Sequence, residues 1–560
     1  MSELKVNFLK LLKEKKYSLI VSIIEDKLRE DEKTSGILNL CGVSRMMSNN
    51  SNISIKLAVN DFKNSCLKET DTKKMLDPLK NLINSSVIFY DNEFKNNGNE
   101  LEKSYFDDVL SIYNKNKHIW EKNPDILWAL VKIVKRISSV DEVIEIYKKI
   151  VSLNSDPDAF ASYIFHNLYN GKWGQIDFLT NTKKINNKLT VYGSEKLTNI
   201  IDTKNDKINL AFLSSDIKGK HSVAYFLRSV INFYDDKQFN IFLYNNHNVE
   251  DDTTREFKDK IYKSSEIKSL KDIDAINQIR RDKIDIIIDL NGLSSDHRLV
   301  LFKNRLAPVQ ISWCGYTNTT GLKEMDFLIA DKNLIKPEEE KNYSEKIIYM
   351  PDIWNCHSGY EKKRKLVPTP SIKKNFVTFG SLNNFRKIND EVIEVWSSIL
   401  KKVKDSKLLL KTSFQISSEI FKEKFRKFGV HDSIIFLPFK KKFDDHLNVY
   451  EEIDIALDTF PYTGVTTSLE AIWMNVPVVT MKGYNFTSRC GESINKNLKL
   501  EELIAENKQD YIKKSVHLAE NKNYLNDIRK NIFDNALKTP LYDKKRFSDV
   551  FFSSLKKIYK

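Results

Sequence analysis

The spacing of apolar residues along the chain changes near residue 205. Before that point, apolar side chains recur at steps of three and four residues with polar residues between them, which indicates amphipathic helices. Phe8, Leu9, Leu11 and Leu12 show this spacing. Short polar breaks at residues 49–52 and 154–157 divide the helices into hairpins. The segment up to about residue 190 is therefore predicted to be all helical.

This helical segment contains an internal similarity. Residues 123–128 are echoed about 33 residues later by residues 156–161, and each copy opens with Asn or Asp at the cap and Pro in the first turn. The interval is close to the tetratricopeptide period. Stacked helix pairs of that type form a concave wall that usually holds a protein. We expect a tetratricopeptide-like repeat region over residues 1–195, and an irregular helical domain is the alternative.

After residue 205, short runs rich in branched residues alternate with helical stretches, which predicts parallel sheets covered on both faces. The predicted strands fall in two series: 207–213, 239–244 and 284–290, then 376–380, 407–411, 434–437, 453–458 and 476–480. Two facing α/β halves, over residues 205–365 and 374–560, are the economical architecture. A hinge is expected near residues 360–374, where the charged run 361–365 meets Pro368 and Pro370.

The candidate chemistry lies in loops that follow predicted strands, where doubly wound sheets bind ligands. Gly464 is followed by the hydroxyls of Thr466 and Thr467 at the start of a helix, an arrangement suited to a pyrophosphate. Glu470, one turn further along, could accept both hydroxyls of a ribose. A plain helix cap with a capping carboxylate is the competing interpretation.

Two further loops carry a cation and an imidazole. Lys387 or Arg386 could neutralise charge on a leaving phosphate, or either could be a solvated surface cation. His221 starts a helix after the first predicted strand, where the helix N-terminus favours a neutral ring that accepts a proton, although a lone histidine is more often structural.

Composition narrows the classes of protein. The 560 residues are 41% hydrophobic, which excludes a mainly disordered chain. The net charge of +14 is a weak indication of nucleic-acid binding, because the lysines do not gather on an aromatic-interleaved face. We expect neither a nucleic-acid partner nor a membrane span, and the N-terminus lacks the apolar segment of a signal peptide.

Metal and redox chemistry have little support in the sequence. The five cysteines lie far apart with no C-x-x-C pair, and the nine histidines form no H-x-x-x-H pair. There is no G-x-x-x-x-G-K-[ST] or G-x-G-x-x-G loop. We therefore expect a cytoplasmic protein with no metal or other cofactor.

Several motifs in the same order resemble one family over about residues 205–557. They are Phe212–Asp216 with His221–Phe226, Leu306–Gly321, Asn383–Asn384 with Lys387–Ile388, and Asp458–Tyr462 with Thr466, Thr467, Glu470, Ala471 and Trp473. Together they are similar to bacterial O-linked N-acetylglucosamine transferases, the tetratricopeptide-containing glycosyltransferases of family 41.

The resemblance implies a GT-B fold and the metal-independent, inverting transfer of a sugar from a UDP-sugar to Ser or Thr hydroxyls of a protein. N-acetylglucosamine is the sugar that the resemblance favours, and the repeats are expected to hold the acceptor protein. By motif, His221 and Lys387 are the implied catalytic residues: His221 is a base or sugar-binding residue, and Lys387 stabilises the departing diphosphate. The implied donor-binding residues are Asn384, His446 against the uracil, Lys442, Thr466, Thr467 and Glu470.

Three departures from the family pattern bear on activity. The loop 439–445 is shifted, so Lys442 is only a candidate for uridine contact. Asn318 and Leu293 replace residues that line the sugar or acceptor side in many relatives. Two alternatives therefore stay open: a hexosyltransferase with a UDP-glucose-type donor, including one that modifies Asn, and a repeat-based protein-binding scaffold with a degenerate transferase domain.

Overall fold

The computed structural model describes residues 2–97, 102–154, 156–192, 205–361, 368–411, 417–438, 440 and 442–559. The predicted charged run 361–365 lies outside the described residues except for Glu361, and so do Phe439 and Lys441 of the loop before His446. Contacts divide the chain into two compact units. One comprises Met1–Ser155, Thr412–Glu423 and Phe436–Lys441, and the other comprises Asp156–Lys411, Lys424–Ile435 and Lys442–Lys560.

The first unit is helical, as the apolar spacing predicts. Its helices are α1 (Ser2–Lys13), α2 (Tyr17–Lys27), α3 (Ser35–Ser48), α4 (Asn52–Lys68), α5 (Thr72–Asn97), α6 (Asp107–Lys115), α7 (Lys117–Trp120), α8 (Pro124–Ile137) and α9 (Val140–Leu153). Consecutive helices pack together, with α3 on α4, α4 on α5 and α8 on α9. The cap residues work as expected, because the Asn123 side chain accepts the N–H of Ile126 at 3.1 Å at the start of α8.

The second unit begins with two more helices, α10 (Pro157–Asn167) and α11 (Gln175–Asn186). Although the repeat region is predicted to run to residue 195, these helices pack within the same unit as the sheets. Gln175 of α11 donates to the Asn318 side chain at 2.8 Å, and Lys303 donates to Asn186 at 2.6 Å. The repeat that starts at Asp156 therefore contributes to the α/β unit.

The first sheet is doubly wound. In the described chain its order is β3-β2-β1-β4-β5-β6-β7, and all neighbouring strands are parallel. The strands are β1 (Ile208–Ser214), β2 (Phe239–Asn245), β3 (Lys263–Glu266), β4 (Ile286–Asp289), β5 (Val309–Ser312), β6 (Phe327–Asp331) and β7 (Lys346–Met350). The connecting helices are α12 (Ser222–Ile231), α13 (Asp252–Lys258), α14 (Asp272–Arg281) and α15 (Leu299–Lys303).

The second sheet has the order β10-β9-β8-β11-β12-β13 among the described residues. Its strands are β8 (Thr378–Ser381), β9 (Lys407–Lys411), β10 (Ile434–Leu437), β11 (Ile455–Leu457), β12 (Val478–Met481) and β13 (Ile504–Ala505). The helices are α16 (Pro370–Lys374), α17 (Asp390–Lys402), α18 (Ser418–Lys427), α19 (Phe443–Asn448), α20 (Thr466–Trp473), α21 (Phe486–Leu498), α22 (Lys508–Glu520), α23 (Lys522–Ala536) and α24 (Lys544–Tyr559).

The last helix, α24, returns to the first half. It packs on α12 and β7, and its Phe552 ring lies 4.7 Å from the ring of Phe239 in β2. The Oγ of Ser548 also donates to the Val230 carbonyl at 3.3 Å. Helix α24 therefore stabilises the first α/β half, to which β1–β7 belong.

Within the described residues, no helix combines the length and the apolar character needed to cross a membrane.

Candidate active site

The predicted site residues follow strands that lie at the topological switch of each sheet. In the first sheet β1 lies between β2 and β4, and in the second sheet β8 lies between β9 and β11. Chain connections leave such a strand pair in opposite directions, so a crevice opens at its carboxyl end. His221 follows β1, Lys387 follows β8, and Thr466 and Thr467 follow β11.

Lys387 ends a short 3₁₀ turn, Phe385–Lys387. Its Nζ donates to the Thr463 carbonyl at 2.9 Å and lies 4.2 Å from the centroid of the Tyr462 ring. Burial lowers the pKa of the ammonium to about 8, against an opposing effect of the Asp458 carboxylate. In the described part of the chain, no carboxylate lies within ion-pair distance of this ammonium.

Asp458 shapes the loop that carries these contacts. Its Oδ1 accepts the N–H of Gly464 at 2.6 Å and that of Thr459 at 2.9 Å, and its Oδ2 accepts the hydroxyl of Thr480 at 2.8 Å. Burial raises the pKa of this carboxyl to about 6. A Cβ on Gly464 would lie 2.7 Å from the Thr467 hydroxyl oxygen, so a larger residue would displace the side chains around this close turn.

Thr466 and Thr467 form the first turn of α20, as predicted. The Thr467 hydroxyl donates to the Oδ1 of Asn383 at 2.9 Å, which joins the loop after β8 to the start of α20. The unpaired N–H groups at this helix start favour an anion. The sequence analysis names Asn383 in a motif but assigns a role only to the neighbouring Asn384.

Glu470 and His446 are in direct contact. The Oε2 of Glu470 lies 3.1 Å from the Nε2 of His446 and 3.1 Å from the hydroxyl of Tyr450. All three side chains are buried. The same Tyr450 hydroxyl is 3.1 Å from the Thr467 carbonyl oxygen. One oxygen of Glu470 is therefore held by the protein, and the structure brings His446 to this carboxylate.

Two predicted donor-binding residues are exposed. Asn384 accepts the N–H of Arg386 at 3.0 Å, so its carbonyl oxygen shapes the turn that leads to Lys387. Lys442 lies just before α19, and its carbonyl accepts the N–H of His446 at 3.2 Å. Lys411, which the sequence reasoning did not single out, ends β9, and burial lowers the pKa of its ammonium while Glu470 raises it.

His221 caps α12 on the first-half side. Its Nδ1 accepts the N–H of Val223 at 3.4 Å, and its Nε2 lies 3.8 Å from an Asp216 oxygen. Burial lowers the pKa of the ring, Asp216 raises it and Lys218 lowers it further. The side chain is 42% exposed, so the ring is accessible to solvent.

Asn291 organises the loop beside His221. Its side-chain amide donates to Ser215 at 2.7 Å and to Asp216 at 3.1 Å, and its Oδ1 accepts the N–H of Ser215 at 2.8 Å. The buried carboxylate of Asp289 accepts the N–H groups of Asn291 and Gly292, and burial raises its pKa to about 6. This network is absent from the sequence prediction because its members lie about 75 residues apart along the chain.

The two residues predicted to alter the sugar or acceptor side are buried. Leu293 is 2% exposed and Asn318 is fully enclosed. Asn318 accepts the Gln175 side chain at 2.8 Å and the N–H of Thr319 at 2.7 Å, so it connects α11 to the loop after β5. Its place in the described structure is that of a packing contact.

Among the described residues, no group of three or more His, Cys, Asp or Glu side chains is placed to hold a metal ion.

The chain is similar to a known family and to several known proteins. The family model described as Glycosyl transferase family 41 matches residues 184–367 and 368–551. The chain is 32% identical over 349 residues to the probable UDP-N-acetylglucosamine–peptide N-acetylglucosaminyltransferase SPINDLY of Petunia hybrida, covering 61% of this chain and 37% of that protein. The SPINDLY protein of Arabidopsis thaliana is 32% identical over 363 residues, covering 63% of this chain and 39% of that protein.

A third plant relative is more distant. The Arabidopsis thaliana protein SEC, with the same printed activity, is 28% identical over 364 residues, covering 61% of this chain and 36% of that protein. The chain thus spans little more than a third of the length of the curated relatives it matches.

One solved structure resembles nearly the whole chain. It is a mutant of the Thermobaculum terrenum O-GlcNAc transferase, with a TM-score of 0.79 at 21% identity, covering 94% of this chain and 98% of that one. The likeness concerns the fold. The predicted GT-B architecture, two Rossmann-like halves after an all-helical region, is confirmed.

Proposed function

We propose, since the chain belongs to glycosyl transferase family 41, that it transfers N-acetylglucosamine from a UDP-sugar to Ser or Thr hydroxyls of a protein, with inversion and without a metal. The printed activity of the relatives SPINDLY and SEC supports the donor and the peptide acceptor. Residues 205–365 would form the acceptor-side half and residues 374–560 the donor-binding half, after the repeat region predicted over 1–195, whose last two helices pack with the sheets. A cytoplasmic location stays a prediction.

The observation that carries this proposal is the environment of Lys387. The ammonium is held by a carbonyl oxygen and an aromatic ring, and neither cancels its charge. It lies in the crevice beside the loop that leads to the N-terminus of α20, which also favours an anion. A departing UDP places new negative charge at such a position, and fixed positive groups stabilise it without reorganisation.

Donor binding follows from the second half. The hydroxyls of Thr466 and Thr467 and the N–H groups of the first turn of α20 would hold the diphosphate. Glu470 would accept the ribose hydroxyls through Oε1, since Oε2 is taken by His446 and Tyr450. His446 thereby supports the nucleotide through Glu470, in addition to the expected contact with the base. Asn384 and Lys442 are the exposed members of the proposed donor site.

The acceptor hydroxyl would approach from the side of His221. Because Nδ1 accepts a backbone N–H, the neutral ring carries its proton on Nε2, which faces Asp216. In this tautomer Nε2 donates a hydrogen bond, so we assign His221 to orienting the sugar or the acceptor oxygen. Removing the hydroxyl proton through the same ring would require the other tautomer.

The displacement itself needs few parts. The acceptor oxygen forms a bond to the anomeric carbon as the bond to the UDP oxygen breaks, and the acceptor proton leaves to solvent or to a nearby base. Holding both reactants in line supplies much of the rate. Lys387 and the start of α20 then stabilise UDP as it leaves. The helical segment α1–α9 is the proposed site for the protein acceptor, by analogy with repeat proteins.

The test compares Lys387→Met with Lys401→Met, an exposed lysine of α17 that serves as the matched control. We expect Lys387→Met to lower turnover by about 100-fold or more, while the affinity for UDP changes by less than about tenfold. UDP release measured with acceptor protein gives turnover, and calorimetry gives affinity. Unchanged turnover in Lys387→Met would overturn the proposal.

The same assay decides the sugar. UDP-N-acetylglucosamine, UDP-glucose and other nucleotide sugars are supplied in turn, and intact-protein mass spectrometry records the mass added to a co-expressed acceptor. Transfer of a hexose, or sugar found on Asn, would favour the hexosyltransferase alternative. Absence of both UDP binding and transfer would favour the protein-binding scaffold.

A further inference from the structure

The two groups that hold the Lys387 ammonium do not neutralise its positive charge. Its Nζ donates to the Thr463 carbonyl at 2.9 Å and lies 4.2 Å from the centroid of the Tyr462 ring. A carbonyl oxygen and a ring face attract a cation, yet neither carries a net negative charge. A carboxylate in the same place would compete with an incoming diphosphate.

The carboxylate that lies behind this loop is already engaged. Both oxygens of Asp458 accept hydrogen bonds, from the N–H groups of Thr459 and Gly464 and from the hydroxyl of Thr480. Asp458 therefore fixes the backbone around Gly464, and it forms no ion pair with Lys387 although its charge acts on the ammonium from a greater distance. The Lys387 ammonium instead lies over the face of the Tyr462 ring.

The Tyr462 ring is itself supported. It stacks on Tyr169, with ring centroids 5.2 Å apart and an interplanar angle of 20°, and the ring of Phe165 lies 6.4 Å away. Asn389, two residues after Lys387, donates from Nδ2 to the carbonyl oxygens of Tyr169 at 3.1 Å and Phe460 at 2.8 Å. The lysine turn, the ring and the segment after α10 therefore form one rigid assembly.

We infer that Tyr462 is a positioning residue for Lys387: its ring, backed by Tyr169, holds the ammonium at the place where the leaving diphosphate develops charge. This inference rests on the proposed function, because it takes Lys387 as the group that stabilises the leaving UDP. Tyr462 acts through Lys387 and needs no contact with the donor. Its loss should therefore affect the rate of transfer more than the affinity for the nucleotide.

The experiment uses the full chain and three variants: Tyr462→Leu, Tyr462→Phe and Lys387→Met. We expect Tyr462→Leu to lower kcat about tenfold, with the KM for the donor changed by less than about threefold. Tyr462→Phe keeps the ring face and should retain kcat within about threefold. A fall in Tyr462→Phe as large as that in Tyr462→Leu would overturn the inference.

A double-mutant cycle separates positioning from a general structural effect. Single-turnover rates with enzyme in excess keep Lys387→Met measurable. In that background Tyr462→Leu should cause no further loss, because its effect passes through the absent ammonium. The same fractional loss in both backgrounds would overturn the inference.

Three further outcomes of these measurements have distinct meanings. If Tyr462→Leu does not fold, Tyr169→Leu, which removes only the ring behind Tyr462, replaces it in the cycle and should again lose its effect when Lys387 is Met. If Lys387→Met alone leaves turnover unchanged, the proposed function fails. A wild-type kcat in Tyr462→Leu, with Lys387→Met impaired, overturns only the positioning role.

Discussion

Lys387 is a cation in a place where burial disfavours its charge. Burial lowers the pKa of its ammonium to about 8, so it is mostly protonated at neutral pH and loses its proton as the pH rises through that value. His221 shows the opposite requirement. Burial lowers the pKa of its ring, which favours the neutral form. Both groups are in the state that the proposed reaction needs near pH 7.

The first prediction concerns pH. kcat/KM reports ionisations of the free enzyme, so it should fall as the pH rises through about 8, where Lys387 becomes neutral. Lys387→Arg keeps a positive charge at all accessible pH values. We expect the alkaline fall to disappear in that variant, although its absolute rate is lower because a planar guanidinium replaces a compact ammonium. An alkaline fall at the same pH in Lys387→Arg would contradict the assignment.

The sequence predicted the site residues that sit in local motifs. Thr466 and Thr467 begin α20 as expected, because a turn, two hydroxyls and a helix follow one another along the chain. Residues that meet across the fold were not foreseen. Tyr450 reaches Glu470 from another element, and Asn318 is packed against Gln175 from a helix 143 residues earlier. Such contacts depend on tertiary packing, which local spacing does not encode.

At the scale of elements, α10 and α11 connect to both halves of the α/β unit. The α11 backbone packs against the loop that contains Gly321, while the turn after α10 packs on Pro461. The Tyr484 hydroxyl donates to the Trp173 carbonyl at 3.0 Å, which adds a further contact to the second half. The segment from α10 to α11, here called the α10–α11 bracket, therefore contacts both halves.

The second prediction tests this bracket at Gly321. Gly321 has φ of +73°, and a Cβ there would lie 2.4 Å from the carbonyl carbon of Thr182 and 2.7 Å from the backbone nitrogen of Lys183. Gly429 is the matched control, since its φ is +69° and no atom in the described part of the chain lies within 4 Å of an added Cβ. Gly429→Ala should cost about 1 kcal/mol from the left-handed backbone alone. Gly321→Ala should cost about 2 kcal/mol more.

Urea denaturation followed by tryptophan fluorescence measures the difference between the two glycine variants. Equal urea midpoints for the two variants would show that α11 moves away from residue 321 without loss of stability, which would contradict the expected clash.

Strand prediction followed apolar runs, although it left out β5, β6 and β7. β9 and β10 lie where the sequence places them, β2 extends one residue beyond the prediction, and β1 is shifted by one residue at both ends. The strand β3 has the sequence Lys-Ser-Ser-Glu and offers no apolar run, and β13 has two residues. Both are strands because a neighbouring strand pairs with them. The packing of α24 on the first half likewise depends on tertiary contacts, which local spacing does not encode.

For the α/β unit as a whole, hydrogen bonds between the two halves oppose motion about the expected hinge near residues 360–374. Arg489 of α21 donates from Nη2 to Glu339 at 2.8 Å. The hydroxyl of Thr487 donates to the Thr317 carbonyl at 2.7 Å, and the hydroxyl of Ser493 donates to Asp331 at 2.8 Å. Buried bonds of this kind are costly to break without replacement. Together with α24 and the α10–α11 bracket, they fix the relative position of the halves.

The third prediction follows: UDP binds without closure of the two halves. Spin labels on Lys237→Cys in the first half and Lys401→Cys in the second can be placed selectively, because the five native cysteines are buried and free. Pulsed dipolar spectroscopy should give a mean distance that changes by less than about 2 Å on adding UDP, whereas hinge closure moves domains further. A larger shift would mean that the bonds of Arg489, Thr487 and Ser493 exchange during binding. The wild-type protein treated with the same label is the control, and it should remain unlabelled.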